Sequence, residues 1–346
     1  MDGRCLIVIG YHWNSNRVKY HQMAVFTHLA EKDAQRIADA CNLGRVHAVE
    51  PVPAGSVNSN FYLDTHAGRV FVRIYEEQGA EGVRYEWALL RFLLTHGVCV
   101  AGPLPGLSPD ELQVQGKPVG VFECVGGSQS CQQGVTRERA AAVGAWLANV
   151  HGVLQAFPEK RQGRFTVAHM KARLHDIATR SETALVSTVT RLEENLGEIE
   201  SFVDEGLPHG VIHGDLFRDN VRWDGCHIVS VIDWESASDG LFIYDLMVAV
   251  LAWCYGNGFD WQLVSAMVRS YHDTRPLCPE EQQQLRACAL RAALRFAITR
   301  ITDFHSRGSI GERVHKDYRR FLARWDAIQA LDAQQFEFLC YGSGSK

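Results

Sequence analysis

The chain has 346 residues, enough for about two domains at roughly 100–200 residues each. An apolar share of 46% and a charged share of 22% are those of an ordinary globular protein and exclude a disordered one. The formal net charge of -5, with no dense basic run, leaves no footprint for nucleic acid or for an anionic membrane surface.

No segment approaches the ~20 apolar residues of a membrane-spanning helix. Ten cysteines run from Cys5 to Cys340 without a C-x-x-C pair, so neither a zinc site nor a redox motif is indicated. They read as buried thiols of a reduced, cytoplasmic protein. His209 and His213 form the one H-x-x-x-H, in a stretch broken by Pro and Gly, so the two rings need not share a face.

The apolar run CLIVIG (5–10) is shorter than a secretory h-region, and no small-residue cleavage site follows it. Residues 11–22 lack periodicity, so residues 1–22 are read as a flexible extension; an edge strand at 5–10 is the rival reading. From Met23 the pattern is that of a domain. Ala34, Ile37, Ala38 and Cys41 predict a helix over 31–43, with Gly44 as its C-cap. VEPVPAGSVNSNFYLDT places a small-residue loop between two strand-like runs, and GRVFVRIYE (68–76) is a strand. YEWALLRFLLTHG (85–97) is a helix, and ELQVQGKPVGVFECV (111–125) a hairpin.

From Thr136, an N-cap candidate, the period becomes helical, with Val143, Leu147, Val150 and Leu154 on one stripe. Residues 166–205 continue in helical pattern. NVRWDGCHIVSVID (220–233) is a hairpin, read as turning at Asp224-Gly225. Residues 244–339 are again almost wholly helical. The expectation is an α+β protein: a small sheet-containing N-lobe (23–122), a larger, mostly helical C-lobe (123–338), a cleft between them, and a tail (339–346).

His213-Gly214-Asp215-Leu216-Phe217-Arg218-Asp219-Asn220, followed by Val231-Ile232-Asp233-Trp234, carries the chemistry. Phosphoryl transfer from ATP to an alcohol needs a carboxylate to orient the hydroxyl and hard oxygen ligands for magnesium. Asp215 and Asn220 have the Asp-x-x-x-x-Asn spacing with which protein kinases meet that need. The hairpin returns Asp233 beside Asn220, so Asp215 is the predicted base and Asn220 and Asp233 the predicted metal ligands. An H-G-D turn with a loop-capping Asp is the plain alternative. Asp219 is read as such a cap.

AGSVNSNF (54–61) sits where a phosphate-covering loop belongs, which makes Ser56 and Asn58 nucleotide-binding candidates; an ordinary hairpin turn is the alternative. Arg73 on its strand and Glu86, read as opening the next helix, suggest the basic–acidic pair that positions ATP; a surface arginine is the alternative. His213 is expected to tie down the loop, His151 to pack, and Asp245 to brace the loop.

HGDLFRDN with VIDW resembles the aminoglycoside phosphotransferase and choline kinase superfamily, which has a protein-kinase-like bilobal fold. SVNSNFYLDT, VFVRIYE, GVIHGDLFRDNV, YDLMVAVLAWCY, RPLCPEE and RAALRFAITRITDF are further similar to its bacterial homoserine kinase branch, in order from Met23 to about residue 330. That resemblance implies ATP, magnesium and L-homoserine, with Asp215 as base and Asn220 and Asp233 on the metal. It also implies a hinge over Phe122 to Val125 against adenine, and so Glu123 and Val125 as nucleotide contacts. Two positions depart from the pattern: Arg73 stands where related kinases often have Lys, and WESASDG follows where the branch more often has an aromatic-rich segment. Another small-molecule alcohol is therefore an alternative acceptor: choline, an aminoglycoside or a sugar. A polycation would need an acidic surface, to which Glu123, Glu235 and Asp239 could contribute. Arg295 and Arg300 are candidates for the homoserine carboxylate, a solvated helix face being the alternative. A nucleotide-binding module without turnover is the reading from another class.

Overall fold

Period-2 segments come first in the chain and helical ones last, and the computed structural model separates them in space in the same way. It describes residues 27–52, 57–180, 185–200, 206–305 and 317–342. The readings made for residues 1–22, for Ser56 and for the last residues of the tail (343–346) lie outside these.

In the N-lobe, α1 (Glu31–Ala40) turns Ala34, Ile37 and Ala38 inward. The strands β1 (Val46–Pro51), β2 (Ser59–Thr65), β3 (Gly68–Ile74), β4 (Gln113–Val114) and β5 (Lys117–Glu123) form one antiparallel sheet in the order β1-β2-β3-β5-β4. Helix α2 (Ala80–Thr95) packs between β3 and β4 in sequence and buries Val83, Leu90 and Leu93 in the core that also holds Leu63, Val70, Val72 and Ile74. Each such side chain stabilises by about 1.5–3 kcal/mol. The helix starts at Ala80 and not at 85. Gly82 weakens the local helical signal, and burial of Val83 overrides it. Glu86 therefore lies in the second turn and does not open the helix.

The C-lobe holds α3 (Arg137–Leu154), α4 (Val167–Arg180), α5 (Val186–Glu200), α6 (Phe242–Trp253), α7 (Trp261–Thr274), α8 (Pro279–Gln283), α9 (Leu285–Arg300), α10 (Arg319–Gln329) and α11 (Ala333–Tyr341). Thr136 caps α3, its hydroxyl accepting from the Arg139 N–H at 3.3 Å. The helix expected over 166–205 is two helices, α4 and α5. Helix α6 buries nearly every residue and forms the centre of the lobe.

Between α5 and α6 the described residues form four strands: β6 (His209–Ile212), β7 (Val221–Asp224), β8 (His227–Val231) and β9 (Ser238–Leu241). They pair antiparallel as β6 with β9 and β7 with β8. The β7–β8 hairpin pairs Asp224 with His227, so its turn is Gly225-Cys226 and not Asp224-Gly225. Gly225 takes the left-handed conformation this turn requires (φ +58°). The cysteines are not uniformly buried: Cys254, Cys288 and Cys340 are, while Cys99, Cys124, Cys131 and Cys226 are exposed. Among the described residues no helix is long and apolar enough to cross a membrane.

Candidate active site

Strand β6 stops at Ile212 and delivers a loop, His213 to Phe217, which passes through one tight turn, Arg218–Asn220, into β7. Gly214 makes the bend possible, with φ +74° and the Ser236 carbonyl 3.2 Å from where a Cβ would stand. Asp245, in the first turn of α6, clamps the loop. Its Oδ2 accepts from the His213 N–H and its Oδ1 from the Gly214 N–H, both at 2.8 Å. His151 donates its Nε2–H to the same carboxylate at 3.1 Å and accepts from the Tyr271 hydroxyl at 2.7 Å. Burial pushes the Asp245 carboxyl up, but the His151 hydrogen bond, the nearby histidines and the Gly214 N–H override it and hold the pKa below its ordinary value. Burial holds His151 down, toward its neutral form. His213 ties the other side of the loop, Nε2 on the Ile232 carbonyl and Nδ1 accepting from the Asp215 N–H, each at 3.2 Å.

The structure brings Asp215, Asn220 and Asp233 to the wall of one cavity of about 850 Å³. Asn220 is buried; its Nδ2 donates to the Asp215 carbonyl at 2.8 Å, and its own backbone carbonyl accepts from the Ile232 N–H at 2.9 Å. With its amide nitrogen engaged, Oδ1 is the Asn220 atom available to a cation. Asp233 has φ +68° and ψ 60°, a left-handed conformation that a non-glycine residue adopts at some energetic cost, often at functional sites. Asp219 lies on the same wall in the tight turn.

Arg73 reaches Asp233 across the lobes, Nη1 to Oδ1 at 3.1 Å, and stands 3.7 Å from Glu86. Burial pushes Glu86 up to about 7; Arg73 opposes this, and Glu235 and Asp233 add to it. Glu235 also rises to about 7, through burial first and then the Asp233 charge. Three carboxyl groups thus share one guanidinium, and Asp233 holds its nearest nitrogen. The Glu235 Oε2 accepts from Asn58 Nδ2 at 2.5 Å, and Asn58 Oδ1 accepts from the Glu76 N–H at 3.2 Å. Asn58 therefore braces one lobe on the other, with both polar atoms engaged.

A second cavity, about 610 Å³, opens between the lobes. Tyr62, Phe71, Leu90, Phe122 and Trp234 make its apolar walls, Glu123 and Val125 its hinge side, and Arg73, Glu86 and Asp233 its polar end. Apart from Phe122, the aromatic walls were not anticipated, although strand period carries a signal for two of them. Phe71 shares a face of β3 with Arg73, and Tyr62 is the cross-strand partner of Phe71, their rings 5.7 Å apart.

The same cavity as Asp215 is also lined by Phe165, Arg295, Phe296, Arg300 and Asp303. Arg295 is neither solvated nor free. It is 3% exposed, donates to the Gly214 carbonyl at 2.9 Å, approaches Asp215 Oδ1 at 3.5 Å, and lies between the Phe165 and Phe296 rings. Glu123, Glu235 and Asp239 line three different cavities and form no joint acidic surface. Among the described residues no cluster of three or more His, Cys, Asp or Glu could hold a metal.

Two lobes, an apolar slot between them and a neighbouring cavity lined by Asp215, Asn220 and Asp233, the last shared with the slot, define a phosphotransferase of the protein-kinase-like fold. Residues 48–288 match the family described as APH, phosphotransferase enzyme family, and the chain belongs to it. Its relatives include the homoserine kinase of Phenylobacterium zucineum (strain HLK1), 32% identical over 291 residues, or 82% of this chain and 88% of that one. The homoserine kinase of Neisseria meningitidis serogroup B (strain ATCC BAA-335 / MC58) is 31% identical over 290 residues, 82% of this chain and 92% of that one. Among solved structures, the amicoumacin kinase hAmiN in complex with AMP-PNP, Ca2+ and Ami superposes with a TM-score of 0.66 at 16% identity, over 88% of this chain and 98% of that one. Choline kinase LicA from Streptococcus pneumoniae gives 0.65 at 14% identity, over 87% and 100%. These two show the fold. The chain is an ATP-dependent small-molecule kinase.

Proposed function

We propose that the protein is a homoserine kinase, which moves the γ-phosphoryl group of ATP to the side-chain hydroxyl of L-homoserine. The products are O-phospho-L-homoserine and ADP. The observation that carries the acceptor is the similarity, over 82% of the chain, to relatives that bear that name. The cavity beside Asp215 supports it, because its arginines and carboxylates suit a zwitterion.

In this reading Asp215 orients the hydroxyl and takes its proton as the new O–P bond forms and the bond to ADP breaks. Arg295 and the Asp245 clamp hold Asp215 in place. The hinge at Glu123 to Val125 and the aromatic slot hold adenine. Arg73, backed by Glu86, meets the phosphates once it releases Asp233, and the loop containing Ser56 and Asn58 covers them. Magnesium fits the donor set, since Asn220 Oδ1 and Asp233 are hard oxygens. Such sites commonly use one or two protein ligands, completed by water and phosphate. When bound, the ion neutralises phosphate charge. Dependence on ATP supports a cytoplasmic setting.

The test is purified protein with ATP, magnesium and a panel of alcohols: L-homoserine, choline, ethanolamine, an aminoglycoside and a methylthioribose-like sugar. Release of ADP with homoserine above every other acceptor is expected. ADP with choline and none with homoserine would refute the acceptor. Absence of ADP above background with all of them favours a binding module without turnover.

A further inference from the structure

We infer that Arg300 is the specificity-determining residue of the acceptor end, the cation that receives the substrate's carboxylate. The inference rests on the homoserine reading of the same cavity and assigns one atom group within it.

Four arginines line the cavity that Asp215 also lines: Arg164, Arg173, Arg295 and Arg300. Three are unsuited to the role. Arg295 Nη1 already serves the Gly214 carbonyl and the Asp215 carboxylate. Arg173 Nη1 donates to the Thr302 hydroxyl at 2.6 Å and to Asp303 at 2.8 Å. Arg164 is exposed, where water weakens any single ion pair. Arg300 differs from all of these. Its Nη1 donates to the Asp317 carbonyl at 3.0 Å and its guanidinium lies over the Phe321 ring, and among the described residues it forms no ion pair.

Its surroundings make that cation short of negative charge. Burial first, then the neighbouring Arg320, lowers its pKa to about 10; Asp215, Asp317 and Asp219 oppose this only from a distance. A partly desolvated guanidinium beside a ring, facing a cavity, gains most from a ligand carboxylate, which it can bind in two parallel hydrogen bonds. The position also fits the reaction. Thr299, Arg300 and Asp303 line the cavity from the end of α9 and from the wide π turn Ile301–His305 that continues it, and such turns recur at functional sites. A small amino acid whose carboxylate lies on Arg300 can extend its hydroxyl toward Asp215 in the same cavity.

The experiment compares acceptors in matched pairs, with and without the carboxylate: L-homoserine with 3-aminopropan-1-ol, and L-serine with ethanolamine. Wild type, Arg300→Gln and Arg300→Lys are assayed with ATP and magnesium, with thermal melting and nucleotide affinity as controls for folding. The expected result is a rise in KM for homoserine of about 10- to 100-fold in Arg300→Gln. The loss on 3-aminopropan-1-ol is expected to be several-fold smaller than that on homoserine, and Arg300→Lys recovers part of the homoserine loss. Equal losses for both members of each pair overturn the assignment while leaving homoserine as the acceptor. A selective loss for a carboxylated alcohol other than homoserine upholds Arg300 and overturns homoserine. A wild type that prefers the amines without a carboxylate overturns both.

Discussion

Glu86 is a carboxyl that folding pushes toward its neutral form, and this gives the protein a pH dependence of its own. Its pKa is about 7 in the folded protein, against an ordinary value of 4.5. The folded state therefore binds its proton more tightly than the unfolded chain does. The stability that Glu86 contributes is complete below pH 4.5 and is lost as pH rises through 7. Glu86→Gln keeps the shape and removes the titration. In the ligand-free protein its unfolding free energy, measured in urea, is expected to gain on wild type between about pH 5 and pH 7 and to level off above that. A difference that stays flat over that range contradicts the account. At this scale the sequence was most readable where spacing along the chain carried the information: Asp215, Asn220 and Asp233 stand on one cavity wall, as their loop-and-hairpin pattern suggested. The burial and engagement of Arg295 were not legible, because Phe165 and the loop of Asp215, which desolvate and engage it, come from distant segments.

Among the elements, α6 does more than fill the lobe. Its first turn places Asp245 under the loop that carries Asp215, so the best-buried helix of the lobe sets the position of Asp215. Asp245→Asn replaces an acceptor oxygen with a donor that faces a backbone N–H or His151. Leaving a buried donor without its acceptor typically destabilises by about 1–3 kcal/mol, and more where the lost partner was charged. We expect a loss of that order in urea unfolding, with kcat falling and nucleotide affinity kept in whatever fraction folds. A loss below about 0.5 kcal/mol, typical of a surface change, contradicts the clamp. The β7–β8 hairpin was legible because its strands alternate and a glycine marks the turn. The β6–β9 pair was not, because Ser238-Asp239-Gly240 are poor strand formers and the pairing rests on backbone hydrogen bonds between distant segments.

Over the whole molecule, the two lobes meet through polar ties that converge on the catalytic side. Arg73 reaches Asp233, Asn58 reaches Glu235, and Gln78 donates to the Glu235 carbonyl at 3.1 Å. Arg161 holds the Glu235 and Ala237 carbonyls and lies over the Tyr85 ring of α2. The bilobal order was legible because strand period gives way to helical period along the chain. The ties were not, since each joins residues far apart in sequence. They place Asp233 and Glu235 at the seam, next to Asp215, and the claim that this seam transfers phosphate to an alcohol stands or falls on Asp215. The most direct measurement follows O-phosphohomoserine by 31P NMR in wild type and Asp215→Asn, given ATP, magnesium and L-homoserine, with nucleotide affinity measured by calorimetry. The account predicts product in wild type and a rate about 10²- to 10⁴-fold lower in the variant, with nucleotide affinity unchanged. Phosphohomoserine made by the variant at the wild-type rate would contradict it.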